Sequence, residues 1–222
     1  MTEQGERGEQ ELRRGLVATG VSMNQSGLNQ GTSGNISVRC GRDFLITPSA
    51  LPYEQCGPAD MVRLDMAGAP QDRRQSSSRR PSSEWRLHRD LYQARPEAGA
   101  ILHSHSIWCT VLACLEKEIP PFHYMVAVAG GDSIPCAPYA LFGSQELSDR
   151  LLATIGQRRA CLLAHHGMVC YAAELEQLIP LATEVETLAR MYGQALQIAE
   201  PPRLSRMEMA AVLGRFADYK AS

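Results

Sequence analysis

The run Gly99-Ala100-Ile101-Leu102 ends in His103-Ser104-His105, and this pattern constrains the chain more than any other. A short apolar run of this kind reads as a buried strand. Side chains in a strand alternate faces, so His103 and His105 point to one side and Ser104 to the other. Two neutral imidazoles on one face can share a metal ion. A second apolar run, Ala160-Cys161-Leu162-Leu163-Ala164, ends in His165-His166-Gly167. Adjacent histidines on an extended chain face opposite ways, so one of His165 and His166 can join the pair, and this geometry does not choose between them. Ser82-Ser83-Glu84 adds a carboxylate at a helix start. Three histidines and one carboxylate make a full tetrahedral set, from which catalysis would need one position to open. A single buried histidine more often does no more than satisfy hydrogen bonds; the set as a whole points to a metal. His88 falls outside the pattern and is expected on a helix surface.

Around these motifs the pattern alternates. A helix is expected over 9–26, where Leu12, Leu16, Val17 and Met23 fall at helical spacing. Residues 35–39 and 43–47 read as strands joined across Gly41-Arg42, which demands antiparallel pairing. A further strand is expected at 61–65. Ser82 or Ser83 is expected to cap a helix running to about Arg95. Then come a helix over 106–115, a strand at 125–129, a helix to about 155 capped by Ser144, strands at 160–165 and 168–172, and a long helix over 174–198. Ser205 and Glu208 form a capping box for a last helix over 205–219. Strands mixed with helices predict an α/β layered domain with some antiparallel pairing. Neither repeat nor linker is visible, so one domain spanning 1–222 is expected. The stretch 71–81, with four Arg, three Ser and no aliphatic or aromatic residue, reads as a mobile solvated loop, and less readily as a basic flap drawing in an anion.

Composition narrows the function. The 222 residues are 44% hydrophobic, enough for a full core, and the net charge of -2 gives no electrostatic case for nucleic acid or a membrane surface. No apolar stretch approaches the roughly 20 residues of a membrane span. The polar N-terminus does not read as a signal peptide. Seven cysteines with no CxxC pair fit a reducing cytoplasm better than a disulfide framework.

Three turns suggest an anion site. Gly31-Thr32-Ser33-Gly34-Asn35, Thr47-Pro48-Ser49-Ala50 and the Ser82-Ser83 helix start all offer hydroxyls or free N–H groups, although each alone could be an ordinary turn. The chain lacks GxxxxGK[ST], so this is no nucleotide P-loop. Glu84, one residue from Ser83, could exchange a proton at a carbon near a bound phosphate; as an isolated residue it would merely compensate the helix dipole. Schiff-base chemistry is disfavoured, because the only lysines are Lys117 in a polar turn and Lys220 in the tail. A carbanion formed here would be stabilised by metal.

LNQGTSGNISVR (28–39), FLITPSALPYE (44–54), PSSEWRLH (81–88), HSH (103–105), IPPFHYM (119–125), AGGDSIPCAPYALFG (129–143) and LLAHHG (162–167) together resemble a class II, zinc-dependent aldolase of the L-fuculose-1-phosphate aldolase type, in the aldolase/epimerase superfamily that includes adducin-like proteins. The resemblance covers nearly the whole chain. It implies a three-layer α/β/α fold around a mostly antiparallel sheet, and a homotetramer with active sites between subunits. It implies Zn2+ (or Mn2+ or Co2+) on Glu84, His103, His105 and His166, and a phosphate site at Gly34, Asn35, Ser49, Ala50, Ser82 and Ser83. Tyr124 from a neighbouring subunit would exchange the proton on the aldehyde oxygen, and Phe142 and Tyr219 would close the pocket. The implied reaction is retro-aldol. Tyr124 accepts the C4 hydroxyl proton as C3–C4 breaks, the metal acts as a Lewis acid, and Glu84 protonates C3 to release dihydroxyacetone phosphate and an aldehyde. The chain departs from the family where Ser49-Ala50 replaces the usual Thr-Gly. Ser keeps the hydroxyl, while alanine's resistance to positive φ predicts a slightly shifted turn. The 71–81 loop is also longer than usual.

Rival readings use much of the same machinery. An aldolase for 5-deoxyribulose 1-phosphate or 5-methylthioribulose 1-phosphate would need the same residues. L-ribulose-5-phosphate 4-epimerase resembles this chain in its histidines but typically carries Asp where Glu84 stands. A methylthioribulose-1-phosphate dehydratase is a third, and a non-catalytic zinc scaffold a fourth, against which intact Glu84 and Tyr124 argue.

Overall fold

A computed structural model describes residues 3–71 and 79–221, with side chains described for 8–71 and 79–218. Most of the expected loop at 71–81 (72–78) and the side chain of Tyr219 lie outside the described residues.

Seven strands form one sheet: β1 Asn35–Cys40, β2 Asp43–Ile46, β3 Val62–Leu64, β4 Ala100–Ser104, β5 Cys136–Ala137, β6 Ala160–Leu163 and β7 Gly167–Ala172, in the order β3-β2-β1-β4-β7-β6-β5. Every neighbouring pair is antiparallel except β5 with β6. The β1–β2 hairpin turns at Gly41, whose φ of 62 suits the tight reversal. Period-two alternation sorts the side chains into two cores. Ile36, Val38, Leu45, Ala100, Leu102, Leu162, Met168 and Cys170 pack to one face. Phe44, Ile46, Ile101, Cys161, Leu163, Val169 and Tyr171 pack to the other. Each Leu or Ile so buried contributes about 1.5–3 kcal/mol relative to exposure. The first face is covered by α1 Glu3–Gln25, α3 Ile107–Cys114 and α5 Leu178–Ala195, with α6 Arg206–Ala221 packed on the 124–129 segment, and the second face by α2 Trp85–Ala94 and α4 Gln145–Ile155. The architecture is the expected three-layer α/β/α with a mostly antiparallel sheet.

Some local expectations fail for identifiable reasons. Residues 125–129 are not a strand. Tyr124–Ala129 is a 3-10 helix ended by Gly130 in the left-handed region, and it packs against α5 and α6. A five-residue apolar run carries too little periodicity to distinguish the two. Neither Ser82 nor Ser83 is the cap residue of α2. Glu84 occupies that position, and the Ser82 hydroxyl accepts the Glu84 N–H at 3.3 Å. Ser144 does cap α4, accepting from the Leu147 N–H at 3.1 Å, and Ser205 and Glu208 form the expected box. The start of α3 is capped from a distance: the Glu186 carboxylate accepts the Trp108 and Cys109 N–H groups at 2.8 and 2.9 Å. β5, two residues long, is too short to read from sequence.

Candidate active site

The site forms at one end of the sheet centre. The antiparallel register sets Asn35 opposite His103, and His103 opposite Val169, so these residues share the face covered by α2. His103 is the penultimate residue of β4, and His105 stands just beyond its end. Between β6 and β7 the chain turns through Ala164-His165-His166. His165 adopts φ 55, a conformation non-glycine residues rarely take, and its exposed ring pairs with Glu116 at 3.1 Å. His166 turns inward. The choice that strand alternation leaves open is thus made by this reversal. Gly167 follows because a Cβ there would stand 2.4 Å from the Ser104 carbonyl oxygen.

His103, His105 and His166 bring their ring nitrogens within 4.8 Å of one another. The three rings stand edge to face, with centroids 4.7–5.0 Å apart. Glu84 reaches in from the head of α2: Oε2 lies 3.2 Å from His103 Nε2, and Oε1 lies 3.3 Å from His166 Nε2. His103 Nδ1 donates to the Met168 carbonyl at 2.9 Å, so Nε2 carries a lone pair. That lone pair faces His105 Nε2 at 3.1 Å and the Glu84 carboxylate. Burial, reinforced by the neighbouring imidazoles, pushes His103 down to about 3 and His166 to about 4; burial also lowers His105. The Glu84 Oε1 atom is buried without a hydrogen-bond donor. Neutral imidazoles and a carboxylate that point lone pairs at one another are an unfavourable cluster until a cation sits among them. The residues therefore fit a divalent metal, held by three nitrogens and a carboxylate oxygen.

A cleft of about 400 Å³ opens over this cluster, lined by Ser33, Ser83, Glu84, His105, Tyr139, Ala140, Phe142, His165 and His166. Phe142 is where the sequence expects a pocket residue. Tyr139 and Ala140 were missed, although they lie in the same Pro-rich segment. The Thr47–Ala50 turn lies beside the Ser82-Ser83 helix start. Pro48 bridges Pro81, the Ser49 N–H donates to the Arg80 carbonyl, and the Ser82 N–H donates to the Thr47 carbonyl. Asn35 Nδ2 donates to Glu84 Oε2 at 2.9 Å. A Cβ on the adjoining Gly34 would meet the His103 carbonyl oxygen at 2.8 Å. Ala50 takes φ 57, in the left-handed region that alanine resists. Tyr124 stands apart from this cleft's lining and is 51% exposed.

His88 is not on the surface. It is fully buried, and burial drives it down to about 3. Its Nδ1 is 2.7 Å from Ser37 Oγ and its Nε2 is 2.5 Å from Asn35 Oδ1. The sequence signal was available: Glu84 and His88 are four residues apart and share one helix face.

A three-histidine cluster that fits a metal, on a mostly antiparallel α/β/α scaffold, narrows the protein to a class, and comparison with known proteins gives the family. Residues 14–193 match the class II aldolase and adducin N-terminal domain. An L-fuculose phosphate aldolase from Escherichia coli O6:H1 is 46% identical, aligned over 94% of this chain and 95% of the relative. A 5-methylthioribulose-1-phosphate/5-deoxyribulose-1-phosphate aldolase from Rhodospirillum rubrum is 49% identical over 94% of this chain and 92% of the relative. A solved L-fuculose 1-phosphate aldolase superposes with a TM-score of 0.88 at 35% identity, covering 93% of this chain and 96% of its own. The chain belongs to the class II aldolase and adducin N-terminal domain family, on its enzymatic, aldolase side.

Proposed function

We propose that this protein cleaves a ketose 1-phosphate of the L-fuculose 1-phosphate type to dihydroxyacetone phosphate and an aldehyde, using Zn2+ held by Glu84, His103, His105 and His166. The observation that carries the reading is the buried Glu84 carboxylate, wedged between two imidazole nitrogens with one oxygen lacking a donor. A bound divalent metal would supply Lewis acidity at the substrate's carbonyl end. Gly34, Asn35, Ser49, Ala50, Ser82 and Ser83 form the phosphate site, with the serine hydroxyls as donors, and so fix C3 beside Glu84. Tyr124 takes the C4 hydroxyl proton and passes its own phenolic proton to solvent as the C3–C4 bond breaks, and the electron pair of that bond passes to the C2–C3 unit. Glu84, protonated from solvent once the substrate is bound, delivers that proton to C3, completing dihydroxyacetone phosphate. Tyr124 acts on the active site of a neighbouring copy in a homotetramer, a reading supported by its exposure and by its lying outside the lining of its own cleft. Phe142 closes the cleft. The whole chain acts as one domain in the cytoplasm, in keeping with seven free thiols; among the described residues no helix is long and apolar enough to cross a membrane.

A second substrate is favoured by the 49% identity to the methylthioribulose/deoxyribulose phosphate aldolase: the same site acting on 5-deoxyribulose 1-phosphate or 5-methylthioribulose 1-phosphate. The substrates share the phosphate and carbonyl end and differ at the aldehyde end, which Tyr139 and Phe142 would face. The test incubates metal-loaded protein with L-fuculose 1-phosphate and, separately, with 5-deoxyribulose 1-phosphate, and measures dihydroxyacetone phosphate with a chelator control. Chelator-sensitive release is expected, and the faster substrate assigns the aldehyde pocket. No release from either overturns the proposal.

A further inference from the structure

Behind Glu84 lies a ladder of buried polar groups, of which the reaction above uses only Asn35. On α2, Glu84, His88 and Tyr92 fall at successive four-residue steps on one face. On β1, Asn35 and Ser37 point toward them while Ile36 and Val38 point into the opposite core. The two spacings match: four helical residues rise about 6.0 Å and two strand residues about 6.6 Å. The groups therefore meet in register. Tyr92 Oη is 2.8 Å from Ser37 Oγ, Ser37 Oγ is 2.7 Å from His88 Nδ1, His88 Nε2 is 2.5 Å from Asn35 Oδ1, and Asn35 Nδ2 is 2.9 Å from Glu84 Oε2. Asn35, Ser37, His88 and Tyr92 are each no more than 3% exposed.

Only one set of hydrogen directions satisfies every link. The Glu84 carboxylate needs a donor, so Asn35 must present its amide N–H to Oε2 and its carbonyl to His88. His88 must then carry its hydrogen on Nε2 and accept on Nδ1, which orients the Ser37 hydroxyl toward Nδ1 and leaves Ser37 to accept from Tyr92. A reversed ladder would set the Asn35 carbonyl against the Glu84 carboxylate, two acceptors in contact with no water to separate them.

We propose that His88 is a positioning residue for Glu84: held by Ser37 and Tyr92, it fixes the Asn35 amide, which pins Glu84 Oε2 and leaves Oε1 free at the metal and substrate side. The inference rests on Glu84 being the acid/base group and metal ligand. Partners of this kind typically alter metal affinity or turnover by about 10–100-fold.

The decisive comparison is His88→Leu, which removes both ring contacts, against His88→Gln, whose amide N–H can still reach Asn35. For His88→Leu, metal affinity in chelator competition is expected to weaken about 10–100-fold, and kcat at saturating metal to fall by a similar factor. His88→Gln is expected to stay within threefold of wild type in both. A purely structural role would lower the melting temperature of both variants and leave kcat at saturating metal unchanged, which overturns the proposal. Nitrogen-15 NMR of histidine-labelled wild type, with the His88 signal assigned by its loss in His88→Gln, gives a measurement that needs no folded Leu variant. A neutral Nε2–H tautomer is expected, and Nδ1–H overturns the ladder. If wild type cleaves no ketose phosphate, the proposed function falls, and the ladder is judged by the tautomer and by metal affinity alone.

Discussion

Acidifying the metal-free protein should unfold it within a narrow pH range, because the site requires neutral imidazoles. Burial holds His88 and His103 down to about 3 and His166 to about 4, against an ordinary histidine value of about 6.5. These folded-state values are depressed, so the unfolded chain binds the extra protons. The stability they confer is present above pH 6.5 and is lost as pH falls from there toward 3. Between pH 7 and pH 5 each of the three histidines removes about 2 kcal/mol, or about 6 kcal/mol together, from a total that for ordinary domains is about 5–15 kcal/mol. The assay is urea unfolding followed by tryptophan fluorescence, in chelator, at fixed protein concentration so that assembly does not shift the midpoint. The midpoint should fall steeply between pH 6.5 and 5, and His88→Gln should lessen the slope by about 1.4 kcal/mol per pH unit, one proton's worth. An unchanged midpoint from pH 7 to pH 5 would refute the claim that these imidazoles are buried neutral. Metal-loaded protein should keep its stability to lower pH, until protons displace the ion.

Glu84→Gln keeps the shape of the side chain but removes its proton-transfer capacity, so kcat should drop about 10²–10⁴-fold with the three-histidine metal site retained; activity within tenfold of wild type would contradict the assigned role. Ala50→Gly relieves a residue at φ 57 and should raise unfolding free energy by about 1 kcal/mol, read by denaturant titration. Gly167→Ala places a Cβ 2.4 Å from the Ser104 carbonyl oxygen, so it should cost about 1–3 kcal/mol and release metal more readily, as His166 is carried with the turn. Equal stability and metal content in that variant would show that the β4–β7 contact yields more easily than its spacing suggests.

The histidine cluster was legible in sequence because a strand has a fixed two-residue period and both apolar runs stop at histidines. The choice of His166 over His165 was not legible from that period, because it depends on the left-handed backbone at His165. His88 was misplaced on the surface for a related reason. Polar residues on an amphipathic helix normally face water, and only the facing strand, with Asn35 and Ser37 turned toward α2, gives this one a partner. Residues 125–129 carried a strand-like composition into a 3-10 helix because their packing against α5 and α6 outweighs local preference. The cap on α3 was invisible for another reason: Glu186 lies 77 residues beyond the Cys109 N–H it accepts. Long-range partners of this kind leave no local pattern.

The site divides its work between rigid and variable parts of the chain. His103 sits on a central strand, His105 just beyond it, His166 in the turn between two neighbouring strands, and Glu84 at the head of a helix packed on the same sheet. A displacement of any one is resisted by the register of β1, β4 and β7, where the backbone hydrogen bonds are continuous. Tyr139, Ala140 and Phe142, by contrast, lie on the connection between β5 and α4, and both aromatic rings are more than half exposed. Loops tolerate substitution that strands do not. On the proposed reading, the phosphate and metal chemistry stays constant while this connection selects the aldehyde. That would allow aldolases named for fuculose phosphate and for methylthioribulose phosphate to resemble this chain at 46% and 49% identity over almost its whole length. Exchanging Phe142 should then change which ketose phosphate is turned over faster, while metal affinity stays where His103, His105, His166 and Glu84 set it.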